Sequence, residues 1–552
     1  MLITYSSITI FYFVVLGFVL NATEIKPVKR NIKVLLVTIL LLAFTVRVYA
    51  FNKLPNLDLD EAMGGINAWS LGKYGIDYFH LVKNPVYLYA WGSGMNILYP
   101  LITVPFVKAL GLSIVTYRLP LVIISTFSIL LLAYALYRVR SFSNGQRLMT
   151  LMIVCLSPIT ICASRWAVES NLFIPLMVIV TSLFILFITE KNKRIRATYL
   201  VIMTLAIGLS AYCYSNNWIF LFSFAACLYV WLLTTKKISF NQILVSIALL
   251  LIECFPLLLF LYVNFISHKE FRIFGITITK LAASRSVFVF ENGHVLSSIA
   301  NNLVTSIKLM LSGYEGIPKV APQFWGAFYP LMLMFFVIGI INYVVNKKQV
   351  LDTFMFFMFI SALWNIFLIE PNFVHFNSIM LPILYFESRG VTQSFNSKRG
   401  LLVFSAVFIL CLLGASRAYI NNYTSGDFNN SGNTTPIELG SMLNKANSYK
   451  DDIYLVSSKD IRDTNSYAYF VLPIFYEKIN PYSFHKETLS VHPSEFMSYA
   501  KFGKWRIMNA SVNETIRGRK GIYIIQNGLR ISKHHHKLIQ KDRYYSMYYF
   551  SK

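Results

Sequence analysis

Apolar and polar residues alternate along this chain on a scale of about twenty residues. Runs of about 16–22 apolar residues are long enough to cross about 30 Å of hydrocarbon. They recur at about 4–21, 34–50, 118–137, 148–163, 172–189, 197–214, 218–234, 243–264, 325–345, 352–369, 374–388 and 401–418. This pattern predicts a polytopic α-helical membrane protein of about twelve spans. The first run has neither a charged leader nor a small-residue cleavage site, so it is expected to stay as a span. After residue 419 the pattern stops. Residues 420–552 are rich in Asn, Ser, Lys and Tyr. There, Asp452-Ile-Tyr-Leu-Val-Ser and Gly521-Ile-Tyr-Ile-Ile-Gln read as buried strands and Ser466–Lys478 as a helix. The expected domains are therefore a membrane part, 1–419, and a small soluble α/β domain, 420–552. No internal repeat of fixed period is present.

The short loops give the orientation. Lys26, Lys29, Arg30 and Lys33 follow the first run. Arg138, Arg140 and Arg147 follow the third, and Lys191, Lys193, Arg194 and Arg196 the fifth. Lys236 and Lys237, Lys347 and Lys348, and Arg389, Lys398 and Arg399 complete the series. Every alternate loop is basic, which places these loops in the cytoplasm and both termini outside. The segment Asn96-Ile-Leu-Tyr-Pro-Leu-Ile-Thr-Val-Pro-Phe-Val is apolar but carries Pro100 and Pro105. Were it to span, every later basic loop would change side, so it is expected to lie in the interface. The loop about 51–117 is then outward, with short interfacial helices at Glu61–Leu71 and Asn96–Ala109. The turn at 164–171, the loop about 265–324 and the short loop 370–377 are outward too.

Composition agrees with this picture: 56% of residues are hydrophobic and only 14% charged, with a mean hydropathy of +0.55. The net charge of +25 would point a soluble protein toward nucleic acid. Here most of the loop charge anchors spans, so the expected partner is the lipid bilayer, with no nucleic acid. All six cysteines lie inside apolar runs, which suits core packing and indicates neither a disulfide framework nor a cysteine zinc site.

The unusual polar residues gather on the outward face. Pro55-Asn-Leu-Asp58-Leu-Asp60-Glu61-Ala-Met-Gly64-Gly65 brings three carboxylates to the lip of a span, a costly arrangement near lipid. Asp60 and Glu61, adjacent on a helix start, diverge by about 100°. One would face a reacting group as a general base and the other brace the loop or a divalent metal. The plainer reading is that Asp60 only caps the helix. Lys83, Arg118 and Arg165 are cations that would hold such a carboxylate ionised. Arg165 and Glu169, four apart, suit either a phosphate fork with sugar-binding Glu169 and Asn171 or an ordinary one-turn ion pair. Arg285 and Lys319 suit a phosphate or a solvated loop. His375 and Asn377 open a span whose N-terminal end would meet an anion or simply cap. Glu253 lies mid-span, a functional candidate by position.

The order of these features resembles the GT-C glycosyltransferases, in particular the protein O-mannosyltransferase-like family 39 and the lipid A aminoarabinose transferases in their bacterial branch. The resemblance covers roughly residues 34–390. It rests on Leu59-Asp60-Glu61-Ala62 after an early span, Asn67-Ala-Trp-Ser-Leu-Gly-Lys-Tyr-Gly75, and Leu98-Tyr-Pro leading to Tyr117-Arg118-Leu-Pro120. Ser164-Arg-Trp-Ala-Val-Glu-Ser-Asn171 and Leu209-Ser-Ala-Tyr212-Cys-Tyr214 complete it. The resemblance implies a polyprenyl-phosphate-linked sugar donor, transfer with inversion on the extracytoplasmic face, and Asp60 as base with Glu61 supporting. It adds Tyr214 to the substrate-binding set. The family often carries an Asp where this chain has Glu169 or Asn171, and the large luminal insert of the eukaryotic mannosyltransferases has no counterpart.

The expected function is thus an inverting glycosyltransferase of the plasma membrane acting on a glycan, lipid or protein acceptor. A transporter or flippase of a lipid-linked sugar and a non-catalytic wall-polymer binder are the alternatives. A transporter predicts two related halves with broken helices and midplane charges; here the halves differ, and the polar residues gather at one face with a tail domain.

Overall fold

The computed structural model describes residues 2–281, 289, 294–346, 348–424, 434–435, 437–458, 466–486, 488–492, 498–532 and 536–551. In chain order the first part runs α1 (Leu2–Asn21), α2 (Arg30–Val48), β1 (Leu57–Asp58), α3 (Leu59–Tyr74), β2 (Tyr87–Ala90), β3 (Ser93–Asn96) and α4 (Leu98–Leu110). Then follow α5 (Ile114–Arg138), α6 (Asn144–Leu156), α7 (Pro158–Ala163), α8 (Phe173–Thr189), α9 (Lys193–Ser210), α10 (Trp218–Thr234) and α11 (Phe240–Leu261). The hairpin β4 (Phe271–Ile273) and β5 (Ile276–Ile278) precedes α12 (Val295–Ser312), α13 (Met332–Val345), α14 (Val350–Leu368), α15 (Asn377–Ser394) and α16 (Lys398–Thr424). The remainder is β6 (Thr434–Thr435), α17 (Ile437–Ala446), β7 (Ile453–Ser458), α18 (Val471–Glu477), α19 (Pro481–Lys486), β8 (Leu489–His492), β9 (Ser498–Phe502), β10 (Trp505–Ala510), β11 (Thr515–Ile516), β12 (Gly521–Gln526), β13 (Arg530–Ile531), β14 (His536–Lys541) and β15 (Tyr545–Phe550).

The chain divides into two compact units. The first comprises residues 1–51, 118–258 and 286–420; the second comprises 52–117, 259–285 and 421–552.

The first unit is helical. Among the described residues seven helical stretches of the whole chain are long and apolar enough to cross a membrane: Arg30–Val48, Ile114–Arg138, Glu169–Thr189, Ser215–Thr234, Phe240–Ser267, Val350–Leu368 and Lys398–Tyr423. The other apolar runs are helical but shorter, more polar or broken. The run at 148–163 is split where Ser157 turns extended (φ −71°, ψ 145°) and Pro158 opens α7, since proline starts a helix readily but cannot continue one. The run at 325–345 is helical only from Met332, because Tyr329 and Leu331 take positive φ of 59° and 67°. The outward loop expected at 265–324 contains α12, with Leu296, Leu303, Val304, Ile307 and Leu311 exposed. Their spacings of seven, one, three and four residues keep them on one face, as in an amphipathic helix. Interleaved Ser and Asn, and the short length of the stripe, hide it in a hydropathy reading.

Two glycines let α13 and α15 approach closely. A Cβ on Gly339 would overlap the Phe386 carbonyl, and one on Gly390 would overlap that of Phe335, the small-residue contact typical of helices packed in lipid. Arg138 and Arg389 are paired with carboxylates. Arg138 bonds Glu190 at 3.0 Å and reaches Glu24 at 3.5 Å, and Arg389 meets Asp352 at 3.1 Å while the Tyr385 hydroxyl donates to the same carboxylate at 2.6 Å. Mid-helix Glu253 lies in a notch that only a glycine, Gly208, leaves open.

The second unit joins the 52–117 loop to the tail. Leu57 and Asp58 of β1 pair with Thr435 and Thr434 of β6. The Tyr78 hydroxyl donates to the Ile479 carbonyl at 3.0 Å, and Gly65 of α3 faces the Phe475 ring. The tail holds a seven-stranded sheet of order β14-β15-β12-β7-β10-β9-β8. Its centre is parallel, with Leu455 of β7 opposite Ile507 of β10 and Ile524 of β12. Strands β7 and β12 are nearly continuously buried, as parallel strands covered on both faces must be. The two strands read from the sequence are this central pair.

Candidate active site

The three carboxylates separate into different tasks. The backbone is extended at Asp58 (φ −84°, ψ 149°) and helical from Leu59, so Asp58 is the N-cap of α3. Its Oδ1 accepts from the Asp60 N–H at 2.8 Å, and Glu61 Oε2 accepts from the Asp58 N–H at 3.1 Å. Together they form a capping box, which satisfies helix-end donors that would otherwise be orphaned. Asp58 and Glu61 are fully buried. The cap that the sequence offered to Asp60 therefore belongs to Asp58, because the helix begins earlier than expected.

Asp60, next along the helix, is half-buried. Its Oδ1 accepts from the Trp91 indole Nε1–H at 2.7 Å. Trp91 and Gly92 form the two-residue turn between β2 and β3, with φ of 53° and 80°. Such turns favour Asn or Gly at the first position. A tryptophan held there at positive φ is strained, and strain of this kind concentrates where side-chain position matters. The Trp91 ring stands edge-on to buried Phe470, with centroids 6.1 Å apart. Trp91 escaped the sequence reading. Its signal was a turn dipeptide between two short strand-like runs.

Lys83 lies elsewhere in the same unit. It is exposed, and its Cε is 3.6 Å from where a Cβ on Gly75 would stand. Gly75 ends α3, fifteen residues beyond Asp60, about 22 Å along the axis. Lys83 is therefore no neighbour of Asp60, contrary to expectation: the loop doubles back to the far end of the helix.

In the first unit the structure assembles another set. Asn377 Nδ2 donates to the Ser170 carbonyl at 2.9 Å, and its Oδ1 accepts from Asn217 Nδ2 at 2.7 Å. Asn217 Oδ1 accepts in turn from Asn365 Nδ2 at 2.9 Å, which also donates to Ser378 Oγ at 3.1 Å. This buried amide chain ties the turn holding Glu169 and Asn171 to the starts of α10 and α15 and the end of α14. Tyr214 stacks on His375 at 6.2 Å, and Asn216 donates to the Tyr214 hydroxyl at 3.2 Å. Glu169 is buried at the start of a short 3-10 helix, Glu169–Leu172. Glu169, Asn171, Tyr214, His375 and Asn377 thus belong to one neighbourhood. Within it, Asn171 closes its own turn by donating to the Trp166 carbonyl at 2.8 Å, and His375 Nδ1 lies 2.6 Å from the Glu370 carbonyl. Asn217 and Asn365 were not singled out from sequence, because an asparagine inside an apolar run looks the same whether it faces a partner or a neighbour.

The two arginines contact backbone carbonyls. Arg165 Nη1 donates to the Val46 and Arg47 carbonyls at 2.7 and 3.3 Å, and Nη2 to the Tyr49 carbonyl at 2.7 Å. It clamps the C-terminal end of α2, where carbonyls lack helical partners and the dipole favours a cation. Arg118, almost wholly buried, donates from Nη1 to the Phe51 carbonyl at 2.9 Å. Lys319 is buried with its ammonium 4.4 Å from the Trp166 ring centroid, a cation–π distance. Nearby Glu315 accepts from the Phe373 N–H at 2.7 Å; burial raises its carboxyl, opposed by that bond and by Lys319. Arg285 lies outside the described residues.

Among the described residues no three His, Cys, Asp or Glu side chains converge as metal ligands. With Glu61 turned back into its cap, Asp60 and Glu61 do not by themselves form an oxygen cage for a divalent ion.

No protein-family model matches the chain, and no curated protein matches it in sequence. Solved structures do. The chain superposes on ArnT from Cupriavidus metallidurans bound to undecaprenyl phosphate with a TM-score of 0.54 at 12% identity, covering 93% of this chain and 97% of that one. The Archaeoglobus fulgidus oligosaccharyltransferase tethered with an acceptor peptide aligns at a TM-score of 0.44 and 11% identity, over 80% of this chain and 63% of that one. The S. cerevisiae protein O-mannosyltransferase Pmt1-Pmt2 complex aligns at a TM-score of 0.31 and 15% identity, over 42% and 33%. The superposition on ArnT, end to end in both chains, identifies the fold of this protein as that of the GT-C glycosyltransferases.

Proposed function

We propose that this protein is an inverting glycosyltransferase that moves a sugar from a polyprenyl-phosphate carrier to a hydroxyl-bearing glycan, lipid or protein acceptor on the face opposite the basic loops. The observation that carries the reading is the division of labour at the start of α3. Asp58 and Glu61 are buried in the capping box, while Asp60 is half-buried and held by Trp91. The fold adds its support, since the ArnT structure it matches is bound to undecaprenyl phosphate.

In this reading Asp60 takes the proton of the acceptor hydroxyl as its oxygen attacks the anomeric carbon. The bond from that carbon to the phosphate oxygen breaks on the opposite face, and polyprenyl phosphate leaves with its electron pair. A departing phosphate needs preorganised positive charge. Arg118, Arg165, Arg285 and Lys319 are the candidates assigned to that role. Glu169, Tyr214, His375 and Asn377 are assigned to the binding of substrate.

The test is transfer of labelled sugar from a synthetic polyprenyl-phosphate donor by purified protein in nanodiscs. Asp60→Asn is expected to abolish transfer with folding intact, while Glu61→Gln, which can still close the capping box, retains most of it. Wild-type rates in Asp60→Asn would overturn the assignment.

A further inference from the structure

We propose that the β4–β5 hairpin is a membrane-interface anchor of the second unit, its tip seated in the lipid headgroup and upper acyl region. Phe274 is 97% exposed, flanked by Ile273 at 46% and Ile276 at 37%. These three side chains crown a two-residue turn, Phe274-Gly275, with φ of 47° and 76°. The turn favours Asn or Gly where Phe274 stands. An aromatic residue kept there against the local preference, with its ring in the open, is explained by something the ring contacts.

The base of the hairpin is firmly held while the tip projects. Ile278 and Thr277 are buried. The Thr277 N–H donates to the Lys83 carbonyl at 2.8 Å, and the Tyr87 hydroxyl donates to the Thr279 carbonyl at 2.8 Å. Leu281 N–H donates to Asn264 Oδ1 at 2.8 Å. An isolated two-stranded hairpin is marginal in water; this one is bolted at its root and bare at its end.

What covers the end is indicated by the chain itself. The hairpin starts four residues after Ser267, the last residue of the membrane-length stretch Phe240–Ser267, whose apolar 18-residue core is only 17% buried in the protein. The last turn of that stretch exposes Phe265 at 70% and Ile266 at 71%. The chain therefore passes from a lipid-exposed helix to an exposed apolar tip without a long polar spacer. His268, Lys269, Arg272 and Lys280 surround the hairpin against a lone acid, Glu270, which Arg272 holds at 2.7 Å. An aromatic tip with a basic collar matches an anionic bilayer surface, where cations meet headgroups and the ring lies just beneath.

The experiment uses full-length protein in nanodiscs of mixed phosphatidylglycerol and phosphatidylcholine. With benzoylphenylalanine at position 274, illumination is expected to give phospholipid adducts, enriched in phosphatidylglycerol over its share of the bilayer. Adducts only within the chain or to a second copy would overturn the proposal. In Phe274→Trp, dibrominated phospholipid is expected to quench more emission than in wild type, and an unchanged quench would overturn it independently. Phe274→Asn, which suits the turn better than the native residue, is expected to fold normally and to lose its protection from mild proteolysis at 268–281 in nanodiscs but not in detergent. Equal protection of both proteins in nanodiscs would count against the anchor. None of these readouts depends on catalysis.

Discussion

Trp91→Phe is the substitution that isolates the hold on Asp60. Phenylalanine keeps an aromatic ring against Phe470 and meets the same positive φ, so neither backbone strain nor most of the packing changes. What is lost is the single Nε1–H donor 2.7 Å from Asp60 Oδ1. A hydrogen bond to a charged group contributes about 1.5–3 kcal/mol. If that bond keeps Asp60 aimed at the acceptor proton through the transition state, its loss lowers kcat by about 10- to 150-fold. KM for donor and acceptor should hold within about twofold, since a positioning loss falls on the chemical step. The assay is steady-state transfer from a defined polyprenyl-phosphate sugar, with thermal unfolding measured in parallel. Wild-type kcat in a normally folded Trp91→Phe protein would refute the argument, as would a Trp91→Phe/Asp60→Asn double variant slower than Asp60→Asn by the full Trp91→Phe factor, because residues acting as one unit do not add.

Other consequences follow from the same geometry. Asp58→Ala removes the cap and is expected to cost about 1 kcal/mol, lowering the thermal midpoint where Asp60→Asn leaves it unchanged. Asp77 is buried and burial raises its carboxyl to about 6, against backbone donors at His80 and its neighbours that act to lower it. Its folded value lies above the unfolded value of 3.8, so its contribution is greatest below about pH 4 and is lost as pH rises through about 6. Asp77→Asn should therefore raise the thermal midpoint relative to wild type at pH 8, with the gap closing toward pH 4. Gly339→Val or Gly390→Val would drive a side chain into the opposing carbonyl across α13 and α15, and is expected to reduce the yield of folded protein in membranes. Arg165→Met would leave the Val46, Arg47 and Tyr49 carbonyls without their donor. It is expected to destabilise by several kcal/mol, the cost of buried polar groups left unmade, so its loss of transfer should track loss of folded protein.

Much of the architecture was legible because it depends on period and composition. Runs near twenty residues long can bury their backbone only as helices in lipid, and β7 and β12 announced themselves as short apolar runs that helices of the same length would not need. The acidic stretch was legible as a candidate because carboxylates near lipid are rare. Its internal division was not. Whether Asp58 or Asp60 capped α3 turned on one backbone angle at Asp58, which the identity of two nearby aspartates does not encode. The arginines show the same limit: that Arg165 reaches the Val46 and Tyr49 carbonyls at the end of α2 depends on packing between distant segments.

Chain pattern alone thus established the class of protein, its membrane character, the sheet at its carboxyl end and the stretch that includes Asp60. Tertiary structure decided which carboxylate stays half-exposed, that Trp91 holds it, that Lys83 stands at the other end of the helix, and that Asn217 and Asn365 bind Asn377 into one network. The reason is range. Hydropathy and strand period are local sums over neighbouring residues, whereas a hydrogen bond between residues 60 and 91, or 217 and 377, is fixed only when distant segments have packed.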